Sequence, residues 1–144
     1  MDRSTQSHRL LQAGVGLVLA AALLGLAIPY LAAPRLALSA HLIGLVQGIL
    51  LLVLGLLWAR FSLTPRQCAI AFWLAVYQAL GAFVSNVLAA AWGAGNSILP
   101  LAAGPAHGTM VQEAIINVGL RTAGAAFIAV LLLLLWGLRR ASAG

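Results

Sequence analysis

Ser39-Ala40-His41-Leu42-Ile43-Gly44-Leu45-Val46-Gln47-Gly48 opens an apolar run that continues to Trp58. About 20 residues of this kind cross a bilayer core of roughly 30 Å as an α-helix, the form that satisfies its own backbone in hydrocarbon. An imidazole, His41, and a carboxamide, Gln47, stand inside the run, and both are costly in lipid. At about 100° per residue, His41, Gly44, Gly48 and Gly55 share one face. That face sets a metal ligand beside a strip without side chains, which admits a neighbouring helix or a flat ligand at close range. Gln47 lies about a third of a turn away on the flank, in reach of something bound at His41. Taken alone, the glycines also read as a packing seam, and His41 as an interfacial residue bonded to a carbonyl.

The 144 residues are 63% hydrophobic and 7% charged. A water-soluble surface needs far more charge than that, so the chain is read as an all-α integral membrane protein. Its eight basic residues are all arginine, and they stand dispersed at the ends of apolar runs. The net charge of +6 therefore does not indicate nucleic-acid binding. The single cysteine, Cys68, excludes an intrachain disulfide and a cysteine-based metal cluster, and reads as a small hydrophobe. There is no Ser-His-Asp arrangement, no phosphate loop and no zinc-type cluster of three His or carboxylates.

Four spans follow from hydropathy, over about 10–31, 39–58, 67–92 and 109–138, in one domain of 1–144. Residues 1–9 read as a short polar tail. The first run is too long for the core of a signal peptide, which is about 7–15 residues, and reads as a retained helix. Four spans put both termini on one side. Arg3, Arg9, Arg60, Arg66, Arg139 and Arg140 then share a face, against Arg35 alone on the other. This asymmetry predicts cytoplasmic termini, as in a bacterial-type inner membrane. Trp58, Trp92 and Trp136 fall at span ends and are expected in the aromatic belts.

Two further patterns stand out. Residues 28–34 echo 99–105 at an offset of 71, which also carries Gly48 onto Gly119 and suggests two duplicated helix pairs. Glu113, Asn117 and Arg121 recur every four residues on the last span. They read as a polar ladder with Asn117 bridging the two charges, or as the lining of a cavity or subunit interface. On the third span, Tyr77 and Asn86 have the plain reading of interhelical hydrogen bonds.

Gly25-Leu26-Ala27-Ile28-Pro29, the stretch from Pro34 to Gly48, Trp73-Leu74-Ala75-Val76-Tyr77, the stretch from Ala89 to Gly95 and that from Pro100 to Gly104 together resemble the hydroxylaminobenzene mutases. The resemblance covers most of the chain. Those enzymes convert hydroxylaminobenzene to 2-aminophenol by moving the hydroxyl within the molecule. They are similar in turn to styrene oxide isomerase, whose four-helix subunits form a trimer with haem between protomers. There a His-x5-Asn-Gly motif holds the iron, and the matching positions here are His41 and Gln47-Gly48. The isomerase also uses a third-helix Tyr, whose place by spacing is taken by Asn86, with Tyr77 more than two turns earlier. The resemblance implies a four-helix bundle, a homotrimer, ferric haem b on His41 beside Gly44 and Gly48, and a small aromatic substrate oriented by Gln47, Asn86 and Tyr77. The alternatives are an epoxide isomerase and a non-catalytic haem-binding or electron-transfer subunit. In the latter, His107 would serve as a second axial ligand.

Overall fold

A computed structural model describes residues 1–105 and 107–141. The chain forms α1 (Arg3–Ala27), α2 (Pro34–Leu57), α3 (Pro65–Trp92), the short α4 (Pro100–Ala103) and α5 (Met110–Ala141), with single 3-10 turns at Ile28–Tyr30 and Trp58–Arg60. Four of these helices are long and apolar enough to cross a membrane, so this is a multi-pass membrane protein. Local chemistry sets the ends. Proline stands at the first positions of α2 and α3, where its missing N–H costs nothing. Thr64 and Gln67 form a capping box at the start of α3. Gly93, at φ 63°, ends α3 in the left-handed conformation.

The N-terminal segment differs from the loose tail expected of it, being helical from Arg3. The carboxylate of Asp2 caps the first turn by accepting from the Thr5 N–H at 3.1 Å. The Arg3 guanidinium donates to the carbonyls of Phe61 and Leu63 beyond the end of α2. The Ser7 hydroxyl donates to the Gly55 carbonyl at 2.7 Å. Trp58 is likewise not a belt residue. It is buried, and its indole N–H donates to Gln6 at 2.9 Å. A buried indole N–H needs such a partner, and the helical start of α1 supplies it. Trp92 and Trp136 are exposed at their span ends, as expected.

The spans pack as a row of antiparallel neighbours, α1 on α2, α2 on α3 and α3 on α5, with α1 touching α3 lightly. The glycine strip of α2 is the α1 seam. A Cβ at Gly48 would meet Val18 at 2.6 Å and the Gly14 carbonyl at 3.0 Å, and one at Gly55 would meet Leu11. Gly44 lies against Ala21 and Phe83. Within the chain, then, Gly44 and Gly48 border helices. In the second pair a Cβ at Gly119 would meet Ser85, and these two lie 71 positions on from Gly48 and Gly14. The offset seen in the sequence thus carries one helix–helix contact onto another.

Two apolar clusters form the core. One, near the start of α1, gathers Leu10, Leu51, Trp58, Phe72 and Val130. The other, at the far end, is built largely of alanines around Leu36 and Ile116. The far cluster is closed by the loop between α3 and α5. Glu113 fixes that loop, its carboxylate accepting from the backbone N–H groups of Gly95, Asn96, Ser97 and Gly108 at 2.8–3.3 Å. The expected ladder is therefore replaced by a loop anchor, with Asn117 reaching Ser97 rather than bridging charges.

Candidate active site at the level of His41

His41 lies seven positions into α2, about 10 Å along the axis from Pro34 at 1.5 Å per residue. Its ring is half-buried and turns onto α1, where Nδ1 stands 2.7 Å from the Ala21 carbonyl. A carbonyl only accepts, so Nδ1 carries a proton. Nε2 is then the nitrogen with a lone pair for a ligand in the neutral ring, the arrangement that fixes a coordinating histidine's tautomer and orientation. Gly25 makes the placement fit. A Cβ there would come within 2.9 Å of both Cε1 and Nδ1 of His41. The α1 seam thus serves the imidazole as well as the backbone.

Asn86 lies on the buried face of α3 and is 1% exposed. Its Nδ2 donates to the Ala82 carbonyl of its own helix at 2.9 Å, while its Oδ1 is buried without a partner among the described residues. Contacts between α2 and α3 fix the register. Ala33 donates to the Ala90 carbonyl, Gly44 meets Phe83, and Gln47 meets Gln78. Two antiparallel helices in that register bring His41 and Asn86 to one height, in the gap between the two apolar clusters. A buried acceptor left open is uncommon and calls for a donor from elsewhere.

The other expected residues are not gathered there. Gln47 is about 120° from His41 around α2 and faces α3. Its Oε1 accepts from Gln78 Nε2 at 3.0 Å, and with Leu42, Ile43 and Val46 it lines an outward groove of about 180 Å³. Tyr77 is exposed on α3, its hydroxyl 2.7 Å from Thr122 Oγ1. The Thr122 hydroxyl donates its one proton back to the Val118 and Gly119 carbonyls, so Tyr77 is the donor in that pair. His107 is exposed in the loop before α5, and Arg121 is exposed on α5. Sequence reading passed over Gly25, Ala21, Gln78 and Thr122 as site residues. Gly25 and Gln78 had a signal, a glycine opposite the imidazole and a second carboxamide in a span. Ala21 acts through its backbone and had none.

The styrene oxide isomerase family model matches residues 6–139. Hydroxylaminobenzene mutase HabB of Ectopseudomonas oleovorans is 42% identical over 137 residues, 95% of this chain and 84% of its own length. Hydroxylaminobenzene mutase HabA of the same organism is 34% identical over 131 residues, 91% of this chain and 97% of its own. No solved structure matches the chain. A match over nearly the whole length takes in all four spans, His41 and Asn86 alike. The chain is a multi-pass membrane isomerase and belongs to the styrene oxide isomerase family.

Proposed function

We propose that this enzyme moves a hydroxyl group within a small aromatic hydroxylamine, hydroxylaminobenzene to 2-aminophenol, with ferric haem b held on His41. The observation that carries the proposal is the His41 geometry. Its Nδ1 is bonded to the Ala21 carbonyl, and Nε2 is left as the ligand nitrogen. Among the described residues no three His, Cys, Asp or Glu side chains converge on a metal position. A lone imidazole suits a metal that brings its other ligands with it, as haem does. The names of the two relatives supply the substrate.

Ferric haem, held by His41 Nε2, would supply a Lewis acid for the substrate. The protein does the rest. Substrate and product are isomers: the hydroxyl leaves nitrogen and joins the ortho carbon, the ortho hydrogen leaves as a proton, and nitrogen regains one. No electrons enter or leave. Asn86 Oδ1 would accept the substrate N–H, Gln47 would donate to its oxygen, and Tyr77 would line the remaining side. Apolar walls hold the ring and keep out water that would compete for the activated carbon.

His41 turns to the α1 side of α2 and Gln47 to the α3 side, so a site using both closes between copies, with Gln47 presented by a neighbour. We assign the active form to a homo-oligomer, a trimer, in a bacterial-type inner membrane with both termini cytoplasmic. The exposed Arg121, costly in lipid by ~2.5 kcal/mol or more, and the exposed Tyr77–Thr122 pair are covered in such an assembly.

The test is conversion of hydroxylaminobenzene labelled with heavy oxygen. The expected result is 2-aminophenol that keeps the label. Absence of 2-aminophenol, or loss of label to water, overturns the proposal. The family model favours a second reading, an epoxide isomerase acting on styrene oxide. Aldehyde formed from the epoxide faster than 2-aminophenol from the hydroxylamine would select it.

A further inference from the structure

We propose that Gln78 is a positioning residue for the reaction, acting through Gln47; this rests on the substrate-orienting role given to Gln47 above. Gln78 lies on the buried face of α3 and is 1% exposed. A carboxamide in that position is unfavourable unless it is bonded. Its Nε2 donates to Gln47 Oε1 at 3.0 Å, across the α2–α3 contact.

The consequence lies in which atoms of Gln47 remain. A carboxamide has an acceptor at one corner and a two-proton donor at the other. Rotation about its last torsion exchanges the two at little steric cost. Gln47 lines a groove with Leu42, Ile43 and Val46 through its aliphatic stem, and left to itself its amide would take either orientation beside it. The bond from Gln78 occupies the oxygen. Both Nε2 protons of Gln47 are then left over, and no other bond to its side chain exists among the described residues. In this orientation Gln78 leaves Gln47 a donor. The substrate group that meets it must be an acceptor, which the oxygen of a hydroxylamine or an epoxide is, and an aromatic ring edge is not. Pre-setting the donor selects which end of the substrate lies at that edge before the bond to oxygen breaks.

The experiment is a double-mutant cycle on full-length enzyme in membranes, with Gln47→Met, Gln78→Met and the pair, read as kcat and KM separately. Folded protein is matched by helical circular dichroism and elution volume. Gln47→Met is expected to lower kcat/KM. Gln78→Met is expected to lower it by about 10-fold, in the range that losing an orienting partner costs. Added to Gln47→Met, the second change should lower it no further, because Gln78 has nothing left to orient. An impaired Gln47→Met with a neutral Gln78→Met, or with losses that multiply in the pair, shows Gln78 to be only a helix clamp and overturns the inference. A neutral Gln47→Met overturns the role of Gln47 itself, and this inference with it. If Gln78→Met does not accumulate, Gln78→Leu enters the same cycle.

Discussion

His41 shows how much a single side chain depends on what surrounds it. The imidazole was visible in the sequence because it interrupts an apolar run. Its partner was not, because the Ala21 carbonyl belongs to the backbone of another helix, and no side-chain pattern marks a backbone acceptor. Gly25 is the sequence trace of that contact, and it looks like any small residue in a membrane helix. A Cβ at Gly25 would stand 2.9 Å from the ring, so Gly25→Val must push His41 off the carbonyl. The expected outcome is retained helical content with haem affinity lowered by about 10–100-fold, as for other losses of a ligand's orienting partner. Titration of the purified variant with haem measures it, and unchanged affinity would mean that the Ala21 bond does not prepare the ligand.

At the scale of elements, the four spans were legible from hydropathy and proline placement, since a long apolar segment satisfies its own backbone in lipid only as a helix. The ends were less so. The first nine residues are polar, and polarity alone reads as tail. The Asp2 cap, together with long-range bonds that join Gln6, Ser7 and Arg3 to the end of α2, makes them helix. Gln6→Ala would leave the buried Trp58 N–H without an acceptor, a loss of about 1–3 kcal/mol. It should lower the midpoint of thermal unfolding while kcat stays unchanged below it; an unaltered midpoint would show the bond to be dispensable. Glu113, Asn117 and Arg121 share a face by spacing, yet the carboxylate turns to four backbone N–H groups of the α3–α5 loop. Spacing along one helix cannot register donors offered by a loop. Glu113→Ala should release that loop, so limited proteolysis should cut within 93–108 several-fold faster than in the parent. Equal cleavage rates would deny the anchor.

For the whole molecule, the repeat at an offset of 71 was readable as faint sequence symmetry, and the equivalent Gly14–Gly48 and Ser85–Gly119 contacts give it physical form. The row-like packing was not readable, because each span carries enough apolar surface to bury against either lipid or protein. That packing turns His41 to the α1 side of α2 and Gln47 to the α3 side, which makes the assembly itself testable. Co-expression of His41→Ala and Gln47→Ala chains should restore part of the activity that each lacks alone, since a mixed assembly contains one intact junction. No restoration in assemblies shown by native mass spectrometry to be mixed would confine the site to a single copy. The central claim is that His41 Nε2 holds haem iron. It is tested most directly by the absorption spectrum of the detergent-purified protein beside that of His41→Ala. A Soret band is expected in the parent and none in the variant, with both showing the same helical circular dichroism. A parent without the band, or a variant that retains it at full intensity, would contradict the claim.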